Sequence, residues 1–280
     1  MAGNFIPALL ADKIFEANRK RLVFAPLTNS EVASESTILK EGDRVKISQF
    51  SDVTVTTYTK NGALSYENLD DASKELVIDH LKYIAVAFDE VDLKQFRTDP
   101  MSAIADNASY KLSEELDSYI AGLYADAGVT SSLGTTGTPI AISSSNIQAY
   151  LNLINQRLSE ANAPRDGRWI VVPPAMATLI SDLVITKATM EPNTQAVTNG
   201  FVTRCLGLDV YESNNVQTVT STKYKVLAGT RRAISLVEQI NSIQEISMLP
   251  TKMGRAVVGL HVAGAKVVRP QDLACLTCTL

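Results

Sequence analysis

The residues best suited to chemistry are few. The chain of 280 residues holds three cysteines, Cys205, Cys275 and Cys278, and two histidines, His80 and His261. Cys275-Leu-Thr-Cys278 has the spacing of a metal knuckle, but a zinc site needs two further ligands, and neither a second such pair nor paired histidines is present. In a strand, positions three apart face opposite sides, which disfavours chelation. Small buried thiols are the plainer reading. His261 sits in an apolar, strand-like run and His80 in a polar one. There is no Gly-x-Ser-x-Gly elbow and no His-Glu-x-x-His helix, and GLHVAG is not a dinucleotide fingerprint. The glycines of residues 129–143 lack the Gly-Lys-Ser/Thr ending of a phosphate loop. A Ser/His/Asp triad needs no fixed spacing, so the sequence leaves it open. No catalytic, cofactor-binding or metal residue is therefore assigned. Arg19-Lys20-Arg21 reads as a solvated helix end or as a contact for a polyanion or an acidic partner.

Composition narrows the class. There are 26 Lys+Arg against 30 Asp+Glu, a net charge of −4, and 45% hydrophobic residues. That excludes a wholly disordered, collagen-like or disulfide-dense chain, and the length gives a prior of about two domains. Mild acidity makes no case for a dedicated nucleic-acid binder. The low, odd cysteine count fits a reducing compartment. Asp12 and Lys13 interrupt the first apolar stretch, so no signal peptide is expected. No run reaches the ~18 apolar residues of a membrane helix, since Ala256–Val268 is broken by His261 and Lys266. A soluble protein made inside the cell is expected.

The elements that would position these residues alternate in type. Residues 1–40 form an arm with too little apolar content to fold alone. Residues 41–97 carry seven basic and eleven acidic residues, the main seat of the negative charge. The β-branched run Val53–Thr57, then Asn61-Gly62, then a return through HLKYIAVAFDEVD, predicts a long two-stranded excursion with an acidic, polar end. A lone hairpin is marginal in water, so this one should lean on its own domain or a neighbouring subunit. Asp99 as cap, Pro100 at the first position, and apolar residues from Ile104 to Ala127 at steps of three and four predict a long helix that stops at Gly128. A second helix carries Ile147, Leu151, Ile154, Leu158 and Ala161. RWIVV is a buried strand, PPAMATLISDLV opens a third helix, and TRCLGLDVYES, YKVLAGT, AISLVEQI, AVVGLHVAGAKVV and LACLTCTL read as strands. The class is α+β with at least one antiparallel sheet.

The ordered set of strings resembles the tailed-phage major capsid proteins of the Hong Kong 97 (HK97-like) fold. GDRVKI resembles that family's hairpin-opening strand, and NASYKLSEELDSYIAGLY its spine helix with an acidic step. RWIVVPPAMATLI resembles the strand, proline and helix of its axial domain. LGLDVYESNNV and GRAVVGLHVAGAKVVRPQDLACLT resemble its later strand segments. The resemblance covers nearly the whole chain. It implies an N-arm at 1–40, an E-loop hairpin at 41–97, a peripheral domain with the spine helix at 98–139 and 241–280, and an axial domain at 140–240. It implies a non-enzymatic major capsid protein that self-assembles as pentamers and hexamers into an icosahedral shell around double-stranded phage DNA. A separate scaffolding protein, a portal, decoration or cement proteins and non-specifically held DNA are the implied partners, with no membrane. The implied location is the virion, with the host cytoplasm before assembly.

Under that resemblance the acidic hairpin would seek a basic surface on the spine region or arm of an adjacent subunit. Glu67, Asp70 and Asp71 are the candidates for intersubunit contact, and Arg19, Lys20 and Arg21 for contact with scaffold or DNA. No motif supplies partners for an isopeptide cross-link at Lys60, so none is expected. An encapsulin-like compartment shell is the alternative, and a soluble enzyme a more distant one.

Overall fold

A computed structural model describes residues 22–30, 44–50, 55, 57, 60, 71–89, 100–187, 201–220, 222–246 and 254–280. Three sheets and three α-helices organise them.

The largest sheet has seven strands. These are β4 (Ile140–Ala141), β5 (Arg168–Val172), β6 (Phe201–Cys205), β7 (Leu208–Glu212), β8 (Thr218–Thr220), β9 (Lys223–Thr230) and β12 (Leu273–Thr279). Their order is β4-β12-β9-β5-β7-β6, with β8 on β9. All five residues of β5 are buried, as a continuous apolar run from Trp169 to Val172 requires. Helix α2 (Ile147–Glu160) lays Ile147, Leu151, Ile154 and Leu158 into this core at helical spacing. Asn162 closes α2 in the left-handed region at φ 60°, and the Ala163 amide donates back to Leu158 O at 2.9 Å. Helix α3 (Pro174–Lys187) follows β5 and adds Met176 and Ile180.

Two smaller sheets lie apart from it. Strand β1 (Arg44–Phe50) pairs antiparallel with β2 (Asp71–Val77). Strand β11 (Gly254–Val267) lies between β10 (Ile234–Ile246) and β3 (His80–Asp89), antiparallel to both. Helix α1 (Pro100–Ala121) is ~33 Å long at 1.5 Å per residue.

Several expectations change. The return strand of the hairpin is β2, not HLKYIAVAFDEVD, which becomes β3 of another sheet. The acidic β2 could be a strand because a half-exposed ribbon needs only one apolar contact row. Leu76 and Ile78 supply it against Val237 and Val262. The Asn61-Gly62 turn lies outside the described residues. TRCLGLDVYES is two strands turning at Leu206 and Gly207, both at positive φ (54° and 84°), the backbone of a two-residue hairpin turn. Helix α1 ends at Ala121 and tightens into a 3-10 turn, Gly122–Asp126. Gly128 is no left-handed cap. Its amide donates to Pro270 O at 2.9 Å, and an added Cβ would lie 2.7 Å from that carbonyl. Strand β12 (Leu273–Thr279) hydrogen-bonds into the sheet that holds residues 168–230.

Candidate assembly interface

Helix α1 joins the parts. Leu112, Leu116 and Ile120 form its buried stripe, and Asp117 beside them is only 2% exposed. Its Oδ2 accepts from the Val23 amide at 2.9 Å and its Oδ1 from the Phe24 amide at 3.1 Å. Burial nevertheless raises its pKa to about 6, opposed by those amides, by that of Ala25 and by the Asn215 side chain. The described part of the arm is thereby pinned, with Leu22, Phe24 and Leu27 in the main core. Asn29 continues the attachment: its amide donates to Ile234 O and its carbonyl accepts from the Leu236 amide.

Another side of α1 meets β3 and β11. Lys82 opposes His261 in register, and His80 opposes Ala263. The His80 ring stacks on Tyr119 with centroids 4.2 Å apart. The Tyr119 hydroxyl donates to Asp79 at 3.2 Å and accepts from the Ala265 amide at 3.3 Å. Lys82 pairs with Glu115. The Nε2 atoms of both histidines are buried without a hydrogen-bond partner among the described residues. Burial lowers the His261 pKa to about 4, with His80 adding to it, and burial also lowers that of His80. Both rings are therefore neutral at pH 7.

The hairpin is rooted on its own chain. Lys74 Nζ donates to Val268 O and Lys266 Nζ to Glu75 O, both at 2.7 Å. Gly264 lets the strands close: a Cβ there would lie 2.8 Å from Val77 O and 3.0 Å from Leu76. The structure thus supplies the support that the hairpin was expected to need, at its base.

The three cysteines are buried and joined in no disulfide. Burial, then Cys275, pushes Cys278 up to about 12, so it is no thiolate. Among the described residues no three His, Cys, Asp or Glu gather to hold a metal ion, and no helix is long and apolar enough to cross a membrane. An open hollow of about 650 Å³ beside α2 is lined by Asn155, Ser159, Arg165, Arg168 and Gly207. Arg168, 3% exposed, already donates to Pro164 O, Asn155 O and Oδ1, Ser159 Oγ and Ala163 O. It is a structural hub, binding carbonyls near the end of α2.

Asp71 opens β2, opposite Phe50. Glu67, Asp70, Arg19, Lys20 and Arg21 lie outside the described residues. The chain reading missed Asp117, Gly264, Lys74 and Lys266 as anchors. Only Asp117 left a signal, a carboxylate beside the stripe of Leu116 and Ile120.

The long helix α1 and the mixed and antiparallel sheets around it match the HK97-like fold of capsid proteins. The chain belongs to the phage capsid protein family, whose model matches residues 82–276. A structure from Mycobacterium phage Che8 is similar over 91% of this chain and 90% of that one, at 26% identity and a TM-score of 0.73. The capsid of cyanophage P-SCSP1u covers 93% and 89%, at 15% identity and a TM-score of 0.71. A virus-like particle from Pyrococcus furiosus shares the fold at 15% identity and a TM-score of 0.58, covering 95% and 97%. The comparison with curated proteins gives no match.

Proposed function

We propose that this capsid protein assembles as hexamers and pentamers into an icosahedral shell enclosing double-stranded phage DNA. The observation that carries this reading is the capsid-family match across residues 82–276. The work is done by interfaces repeated around rings, not by catalysis. The chain acts in the virion and, before assembly, in the host cytoplasm. A separate scaffolding protein, a portal and decoration or cement proteins complete the particle. Residues 1–40 serve as N-arm, 41–97 as hairpin, 98–139 and 241–280 as peripheral domain and 140–240 as axial domain. Strand β12 joins the axial sheet by its hydrogen bonds. Glu67, Asp70 and Asp71 contact a neighbouring subunit, and Arg19, Lys20 and Arg21 face scaffold or DNA.

Negative-stain electron microscopy of the purified chain, with and without co-expressed scaffold candidates, tests the reading. Closed polyhedral shells are expected. Monomers or small oligomers in every condition would overturn it. A second reading, a cellular compartment shell, draws on the shared fold of the Pyrococcus furiosus particle. Nucleic acid inside the shells supports the virion, and a cargo enzyme supports the compartment.

A further inference from the structure

Arg168 carries a charge that no carboxylate meets at contact distance. The residue is 3% exposed, and every acceptor it reaches is neutral: Pro164 O, Ala163 O, Asn155 O and Oδ1, and Ser159 Oγ, at 2.7–3.2 Å. No carboxylate lies within ion-pair distance of it among the described residues. Burial and then the like charge of Arg165 lower its pKa, and Asp272 opposes them less. Arg165 and Arg168 both line the open hollow of about 650 Å³ beside α2 and the β6–β7 turn. Arg165 is exposed and makes no hydrogen bond or ion pair among the described residues. Glu160, also on the wall, is taken by Arg157 Nη1 and Gln156 Nε2, each at 2.8 Å. Asp166 is exposed on the turn with Arg165 but does not line the hollow. The same residues hold the opposite wall. Asn155 accepts from Arg168 through Oδ1 and donates through Nδ2 to Leu206 O at 2.6 Å, beside the positive φ of 54° at Leu206. The next residue, Gly207, leaves its backbone open: nothing lies within 4 Å of where a Cβ would stand. Two like charges are thus fixed around one space beside a strained turn, an arrangement that opposes folding in the chain alone.

We infer that this hollow binds a small phosphate-bearing anion, gripped by Arg165 and drawn in by the buried charge of Arg168. Carbonyls and hydroxyls occupy the Arg168 N–H groups, so it acts through its field, which is strong in a wall shielded from water. Arg165 supplies the direct contact, since a guanidinium meets a phosphate with two parallel hydrogen bonds. The open backbone at Gly207 lets the ligand come close to the chain. The volume lies within the roughly 300–1,000 Å³ of small-molecule sites. A nucleic-acid duplex fits less well: Arg168 is recessed, so a rigid backbone crossing the opening would meet Arg165 alone. The wall is fixed by the bonds that run from Arg168 through Asn155 to Leu206, so little ordering is needed on binding. The site belongs to the single subunit and does not depend on the shell reading.

Calorimetric titration of the full-length chain with pyrophosphate, at about 0.15 M salt, tests the inference. Saturable binding is expected, with a melting temperature that rises with pyrophosphate concentration. Arg165→Glu is expected to weaken binding at least about tenfold, because a charged hydrogen-bond donor is replaced by a like charge. Arg165→Ala reads the same contact if the charge reversal does not fold. Arg232→Glu reverses an exposed arginine that does not line the hollow, and is expected to bind as wild type does. No saturable binding by the wild type overturns the inference, as does undiminished binding by the Arg165 variants. Equal losses in Arg165→Glu and Arg232→Glu would mean general attraction to a charged surface, and overturn it too. A short DNA duplex that binds through Arg165 while pyrophosphate does not would make the hollow a nucleic-acid contact, and also overturns it.

Discussion

Two sides of α1 bury polar groups in opposite ways. Toward the arm, the Asp117 carboxylate is met by the amides of Val23 and Phe24. Toward the sheet, the Nε2 atoms of His80 and His261 are buried without partners among the described residues. Burial is the leading cause of both shifts, raising Asp117 to about 6 and lowering His261 to about 4. The neutral form is favoured in each, yet the two respond to acid with opposite sign. Asp117 has a folded pKa above its unfolded one. Its contribution is full below the unfolded value of 3.8 and is lost as pH rises through about 6, a change of about 3 kcal/mol. His261 has a folded pKa below its unfolded one. Its contribution is full above 6.5 and is lost as pH falls toward 4, again by about 3 kcal/mol. One helix therefore carries two joints that acid drives apart: the arm joint tightens while the sheet joint loosens.

The largest expected effect breaks the arm side outright. Asp117→Ala strands two buried amides and should lower unfolding free energy by about 3 kcal/mol, read by denaturant titration at pH 7. An Asp117→Ala chain as stable as wild type would show that water satisfies those amides. The comparison is sharpened by pH. From pH 7 to 5, Asp117→Asn removes the joint that acid tightens and should lose about 2 kcal/mol through His261, whereas His261→Leu should gain about 1 kcal/mol over the same range through Asp117. Wild type, holding both, should change less than either. Equal slopes in the three chains would refute the opposition. On the sheet side, Gly264→Ala pushes a methyl toward Val77 O and should cost about 2 kcal/mol, visible as a lowered melting temperature. The smallest effect belongs to Glu115→Gln. Its bridge to Lys82 joins side chains 46% and 45% exposed, and its loss should cost under about 1 kcal/mol.

The sequence was most legible where one period dominated. Ile147, Leu151, Ile154 and Leu158 mark α2 unmistakably, and RWIVV marks β5, because each buries one continuous apolar surface. It was least legible where tertiary contacts chose between options. Asp71–Val77 reads as a polar loop until Leu76 finds Val237 and Val262 across space. Leu206 holds a positive φ that leucine rarely adopts, with its carbonyl accepting from the Asn155 side chain at 2.6 Å. The roles of Gly264 and Gly128 depend on which backbone passes within 3 Å of them, and no local pattern encodes that. The arm anchor Asp117 was visible as an acid in the helix string, but its partners lie more than ninety residues away.

Strand β12 has one more consequence. It occupies the interior of the seven-stranded sheet, between β4 and β9, and every residue from Leu273 to Cys278 is buried. These residues leave the ribosome after all their partners. Until they do, β9 presents an open, apolar edge, and the sheet cannot close. Translation thus acts as a clock: until residues 273–279 emerge, a growing chain lacks the strand that completes this sheet. The unfinished sheet is also the stage most exposed to mispairing.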